Sequence, residues 1–176
     1  MTDSSVEAVD TSGSACKVTV KTPKGQEVIE ADVVLSAVGV TTNIENIGLE
    51  KAGMKTEKSK VVVDDFYCTT VKGIHAIGDI VHGPALAHVA SAEGIICVEK
   101  IAGLNPEPLN YGNIPACTYT TPEIASVGLT EAAAREKGYE IRTGKFPFTA
   151  SGKASASGSK DGFVKLIFDK EYGELL

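Results

Sequence analysis

"GIHAIGDIVHGPALAHVASAEG" spans Gly73–Gly94, and how it is read decides the fold. Its opening "GIHAIGD" is apolar and stops on an acid, Asp79. A short continuous apolar run bounded by turn residues predicts a strand covered on both faces. Gly83 and Pro84 then turn the chain. From Ala85 onward, Leu86, Val89, Ala90, Ile96, Cys97 and Ile101 recur at roughly helical spacing, and Gly103 supplies a stop. Strand, acid and helix in that order predict an α/β unit. In open α/β folds, ligands sit beyond the carboxyl ends of the strands. Gly78 lets a ligand approach the backbone, and Asp79 offers two acceptor oxygens for ligand hydroxyls. The helix start offers free N–H groups and a partial positive charge, which suit an electron-rich or anionic group. Asp79 equally suits the capping of a turn or helix, and both readings stand at this point.

Upstream, "SVEAVD" and "CKVTVKT" alternate, and turns fall at Ser12–Gly13 and in "PKGQ". "EVIEADVVLSAVG" then runs to Gly39. A β-meander feeding one fully buried strand, Val33–Val38, is expected. "VTTNIENIGLEKAGMKTEKSK" reads as a connector with a short helix around Ile44–Lys51, ended by Gly53. "VVVDDFYCTT" reads as a strand and a turn; Asp64 and Asp65 are adjacent, so on a strand they would face opposite ways. "NPEPLNYGNIP" is a Pro/Asn-rich connector and reads as a domain boundary. Beyond it lies a smaller α+β unit: a strand in "ASVGL", a helix in "TEAAAREKG" capped by Thr130 and stopped by Gly138, and strands in "YEIRTGKFPF" and "GFVKLIFDKEYGELL". "SGKASASGS" is small and polar.

The 176 residues suit one domain or two small ones. With 6% aromatic residues and no Trp, the core must be built mainly from Val, Ile, Leu and Ala. The net charge of -6 and the lack of a basic patch argue against nucleic acid as a partner. "MTDSSVEAVD" is neither a signal nor a transit peptide, and no apolar run is long enough to span a bilayer. Cys16, Cys68, Cys97 and Cys117 lack zinc or dithiol spacing. They read as small buried hydrophobes in a reducing compartment.

"GIHAIGD" followed by "LAHVASAEG" resembles the flavin-binding segment of the class I pyridine nucleotide-disulfide oxidoreductases. "ADVVLSAVGVTTNIENIGLEKAG" resembles the family's last nucleotide-domain strand and its return to the flavin domain. "IPACTYTTPEIASVGLTE" and "GKFPFTASGKASASG" resemble the opening of its interface domain. The resemblance runs from about Val28 to Leu176, and "AHxAxxEG" from Ala87 to Gly94 is most similar to the dihydrolipoamide-oxidising branch. The fold it implies is α/β and α+β, in three parts. Residues 1–42 would be the end of an NAD-binding domain. Residues 43–110 would be the returning part of a Rossmann-like FAD-binding domain, and residues 111–176 the first half of an interface, or dimerisation, domain.

The resemblance also implies roles. Asp79, beside Gly78, would hold the hydroxyls of the FAD ribityl chain. Ala85, Leu86, Ala87 and His88 would set backbone beside the flavin ring, and Gly39 would let NAD approach. Family members usually carry Arg after this glycine; here Val40 follows, so that contact is not carried over. The implied whole protein would pass electrons from dihydrolipoamide, through a redox disulfide and FAD, to NAD. Its partners would be the lipoyl domain of a 2-oxo acid dehydrogenase or glycine-cleavage complex and a second copy of itself. It would work in the cytoplasm, or in the mitochondrial matrix of a eukaryote.

The family's Gly-rich FAD segment, its Cys-x4-Cys pair, its G-x-G-x-x-G and its His-Glu acid/base are not in these residues. The opening strands lack an upstream partner, and the closing strand breaks off at Leu176. An internal or C-terminal-side stretch of a longer protein, inactive by itself, is therefore expected. No catalytic residue and no metal ligand is assigned. His75 and His82 read as structural, and His88 as acting through its backbone. Glu93 reads as either orienting His88 or solvated. Tyr119 and "TTPE" read as packing, an interface or the rim of a disulfide site. The alternatives are another family branch (glutathione or mercuric reductase, or a soluble transhydrogenase) and a non-catalytic dimerisation or binding module.

Overall fold

The computed structural model describes all 176 residues and divides into two compact units, Met1–Thr41 and Thr42–Leu176. The first is an antiparallel meander of β1 (Ser5–Asp10), β2 (Cys16–Thr22) and β3 (Gly25–Ala31), with β2 in the centre. Val18 and Val20 share one face of β2 and are buried. Val9 and Ile29 stand opposite Val18, and Val6 stands opposite Val20. Val6 and Val9 are an odd number of residues apart, so a regular strand would send them to opposite faces. A bulge between Val6 and Ala8 takes up the extra residue and returns both to the valine face. At the β2–β3 turn, the Thr22 hydroxyl accepts from the Lys24 N–H and donates to the Gly25 carbonyl.

The strand expected over Val33–Val38 does not form. Residues 32–41 have no strand partner, and Val33, Leu35 and Val38 are 81%, 88% and 94% exposed. A strand covered on both faces needs paired neighbours and a layer above and below; no segment of these residues supplies them. Every strand pairing in the chain is antiparallel.

In the second unit, β4 (Thr56–Glu57) and β5 (Lys60–Val61) form a short ladder. Ile44, Leu49, Val61, Ala76 and Val81 make a core, with Met54, Val63 and Ile80 packed against it. The helix expected at Ile44–Lys51 is reduced to turns. These close with Ala52 N–H on the Gly48 carbonyl and Met54 N–H on that of Leu49, and Gly53 takes φ +79° there. Asp64 is a turn residue: one carboxylate oxygen accepts from the N–H groups of Phe66 and Cys68.

The strand expected over "GIHAIGD" is also absent. Its trace is a single bridge, Cys68 to His75, followed by a 3-10 turn at Gly78–Ile80. Ile77 is 39% exposed. The cause is again the lack of neighbouring strands.

The helix that follows is present as α1 (Ala87–Ile101), ended near Gly103 at φ +82°. Its buried residues are Val89, Glu93 and Cys97. Ile101, one of the apolar residues at helical spacing, is 60% exposed.

The remainder comprises β6 (Ala116–Thr118), β7 (Ile124–Ser126), α2 (Glu131–Glu136), β8 (Ile141–Pro147), α3 (Gly152–Ser157) and β9 (Phe163–Asp169). β6 pairs with β7 and β8 with β9. The Thr130 hydroxyl caps α2 by accepting the Ala133 N–H, and Glu131 bridges to Lys165 of β9 at 3.0 Å. "SGKASASGS" holds the unforeseen α3, capped by Ser151 on the Ala154 N–H and closed by Gly158 at φ +71°. Its alanines favour helix, and Ser151 serves as its N-cap. Tyr119, read as packing among its alternatives, is 85% exposed. No helix is long and apolar enough to cross a membrane.

Candidate functional site

The segment 78–88 leads into the start of α1, and two glycines let the residues around it lie close to that helix. Gly78 has φ +76°, and a Cβ there would meet the Ala90 Cβ at 3.4 Å; a Cβ at Gly94 would meet Ile77 Cδ1 at 3.3 Å. Ala90, Glu93, Gly94 and Cys97 are spaced by three and four, so they share one face of α1. The small residues of that face let residues 77–79 dock close.

Asp79 lies in the exposed 3-10 turn. Its main-chain carbonyl accepts from Lys60 Nζ at 2.9 Å; no hydrogen bond or ion pair within the chain engages its carboxylate. Ala85 is exposed, Leu86 is half-buried at the N-cap position, and Ala87 and His88 open the helix. No side chain caps this end and no acid lies in its first turn. The first N–H groups of a helix have no acceptor within it. An acceptor carboxylate and an uncapped helix start therefore occur in one ten-residue stretch. Gly39 belongs to the first unit, in its exposed 32–41 segment, at φ +99°, and a Cβ on it would meet nothing within 4 Å.

Glu93 corrects its sequence reading on both counts. It is neither solvated nor in contact with His88, whose Nε2 lies 3.1 Å from the Pro115 carbonyl. Glu93 is 1% exposed. One oxygen accepts the Gly78 N–H at 2.6 Å, and the other accepts the Tyr111 hydroxyl at 2.6 Å. Tyr67, 2% exposed, places its hydroxyl 3.2 Å from that of Tyr111. Burial of the hydroxyl, then the Glu93 carboxylate, pushes the Tyr111 phenol far above its ordinary value. Burial likewise raises that of Tyr67. Tyr111 is 40% exposed as a residue, with its hydroxyl end turned inward. Its ring rests on Gly83, where a Cβ would lie 2.7 Å from Cε1.

No sequence motif pointed to Tyr67 or Tyr111. Glu93 carried a usable signal: Val89, Glu93 and Cys97 recur every four residues, which sets Glu93 on the buried face. His75 is half-buried and His82 exposed. The cysteines depart from the expected pattern, since only Cys97 is buried and Cys117 is exposed. Burial raises the Cys97 and Cys68 thiols, with the Asp64 carboxylate adding to it, so neither is an activated nucleophile. Tyr67, Tyr111, His82 and Pro108 line a cleft of about 200 Å³. That is below the roughly 300–1,000 Å³ of pockets that enclose small ligands. Of the 78–88 segment only His82 lines this cleft; Asp79, Ala85, Ala87 and His88 are exposed.

Residues 1–94 match the family described as pyridine nucleotide-disulphide oxidoreductase, and residues 114–176 match that family's dimerisation domain. The chain is 51% identical to a dihydrolipoyl dehydrogenase of Rhizobium etli, covering 99% of this chain and 37% of that protein. It is 44% identical to the mitochondrial dihydrolipoyl dehydrogenase of Pisum sativum, covering 97% and 34%. Among solved structures, LpdA of Mycobacterium tuberculosis superposes with a TM-score of 0.83 at 27% identity, covering 98% of this chain and 37% of that one. The HOCl-induced flavoprotein disulfide reductase RclA of Escherichia coli gives 0.82 at 26%, covering 98% and 39%. The chain thus spans about a third of the length of these curated relatives. With both its amino-terminal half and its last 63 residues matched in order, the chain belongs to the pyridine nucleotide-disulphide oxidoreductases.

Proposed function

We propose that this chain supplies part of the FAD and NAD sites of a dihydrolipoyl dehydrogenase. In that protein, a dihydrolipoyl dithiol is oxidised to its disulfide and NAD is reduced. The observation that carries the reading is the Asp79 carboxylate, exposed and without a partner, next to Gly78 at φ +76°. A sugar-alcohol chain presents hydroxyl donors, and an ionised carboxylate is an acceptor alone, so the chemistry fits the ribityl portion of FAD. FAD, when bound, supplies the two-electron relay between dithiol and nicotinamide. Ala85, Leu86, Ala87 and His88 set the uncapped start of α1 beside it, where main-chain N–H groups stabilise negative charge. Gly39, with open space at its Cα, suits close approach by NAD.

In this reading residues 1–42 close the NAD domain, residues 43–110 return to the FAD domain and residues 111–176 begin the dimerisation domain. The partners are a second copy of the protein and the lipoyl domain of a 2-oxo acid dehydrogenase or glycine-cleavage complex. Bacterial and plant mitochondrial relatives support work in the cytoplasm or the mitochondrial matrix. The redox cysteines and the His-Glu pair must come from outside these residues, so this chain by itself is expected to be inactive. The test is FAD titration of the protein at its natural length with Asp79→Asn. A loss of about tenfold or more in affinity is expected for a charge-assisted contact; unchanged affinity overturns the reading.

A further inference from the structure

The loop from Gly78 to Gly83 carries Asp79, and the pair Glu93–Tyr111 holds both of its ends. At one end, Glu93 accepts the Gly78 N–H at 2.6 Å. At the other, the Tyr111 ring lies where a side chain on Gly83 would be, with Cε1 2.7 Å from its Cβ position. The two holds are joined by the Tyr111 hydroxyl, which donates to the second Glu93 oxygen at 2.6 Å. Tyr67 adds a hydroxyl contact to Tyr111 at 3.2 Å. Neither Glu93 nor Tyr111 is among the residues assigned a place beside the flavin: Glu93 lies within "LAHVASAEG" but its side chain is buried. Tyr111 stands beyond the end of α1, in the connector that leads toward β6. A carboxylate that is 1% exposed and lacks any cationic partner is costly unless its hydrogen bonds are met. Both of its oxygens are met here, by a backbone group and a phenol.

We infer that Glu93 and Tyr111 are positioning residues that hold the Gly78–Gly83 loop so that Asp79 faces FAD. This rests on the flavin reading given above. It also makes FAD affinity depend on the connector after α1, which touches the cofactor nowhere in that reading.

The test uses the protein at its natural length and measures FAD affinity by flavin fluorescence titration, the flavin absorption envelope, and melting of the FAD-free protein. Four variants are compared: Asp79→Asn, Glu93→Ala, Glu93→Gln and Tyr111→Phe. Glu93→Ala is expected to weaken FAD binding by about tenfold, and Tyr111→Phe by at least about threefold. Both should alter the flavin absorption envelope. Glu93→Gln keeps one acceptor for the Gly78 N–H and is expected to restore affinity to within about threefold of the parent. Should Glu93→Ala fail to fold, Tyr111→Phe decides, because it keeps the ring on Gly83 and removes only the oxygen. A Tyr111→Phe or folded Glu93→Ala variant within threefold of the parent overturns the inference, provided Asp79→Asn is weakened. Failure of Glu93→Gln to restore binding overturns it as well. If Asp79→Asn binds FAD like the parent, the flavin reading itself falls and the inference with it.

Discussion

Tyr111 donates its hydroxyl to Glu93 across 2.6 Å while its ring occupies the space a side chain on Gly83 would need. One aromatic residue thus satisfies a buried carboxylate and explains a glycine. Removing the hydroxyl leaves one Glu93 oxygen without its donor in a site that water does not reach. Tyr111→Phe is expected to destabilise the fold by about 1–3 kcal/mol, the cost of an unsatisfied buried polar atom. Urea denaturation checks this; a change below about 0.5 kcal/mol contradicts the satisfied-carboxylate account.

Gly83 and Gly152 make a contrasting pair. Gly83 has φ +128° and a Cβ there would overlap the Tyr111 ring; Gly152 opens α3 with nothing within 4 Å. Gly83→Ala should cost about 1–3 kcal/mol through backbone strain and overlap. Gly152→Ala should be neutral or stabilising by up to about 1 kcal/mol, because alanine restricts the unfolded chain and favours helix. Equal melting shifts in the two variants would count against this packing.

How far could these contacts be read from residue order alone? The meander, α1, the Thr130 cap and the separate strands β8 and β9 follow from local alternation, helical spacing and capping chemistry, all short-range signals. Val33–Val38 and "GIHAIGD" look like buried strands because their composition suits a parallel sheet. Whether they become strands depends on neighbours that these residues do not provide. Asp79 stands out because it ends an apolar run. Tyr67 and Tyr111 do not, because their value lies in a contact between residues 44 positions apart. Glu93 was half-legible: its four-residue spacing from Val89 and Cys97 points inward, but a carboxylate on that face is normally assumed to be solvated. What satisfies it is visible only once the chain is folded.

The phenols set an alkaline limit on stability. The Tyr67 and Tyr111 hydroxyls both titrate above their ordinary value of 10.0 in the folded chain, burial being the leading cause. The unfolded chain therefore loses these protons first. The stabilisation is fully present below about pH 10 and is lost as the pH rises beyond it. Melting temperature should fall across pH 9.5–11, and Tyr67→Phe should flatten that fall. An identical alkaline slope in parent and variant would remove Tyr67 from the explanation.

Val33, Leu35 and Val38 stand 81–94% exposed in a segment without strand partners. Contiguous apolar exposure of this kind attracts hydrophobic dyes. In the 176-residue chain, the double change Leu35→Ser and Val38→Ser should lower dye fluorescence. It should leave stability within about 0.5 kcal/mol, as for other surface substitutions. Were the segment instead a covered strand, the same change would remove two buried aliphatic side chains and cost about 2–5 kcal/mol. Dye fluorescence and urea denaturation on the same samples separate the outcomes. A stability loss of that larger size, with no drop in dye signal, would mean that residues 33–38 are buried in solution.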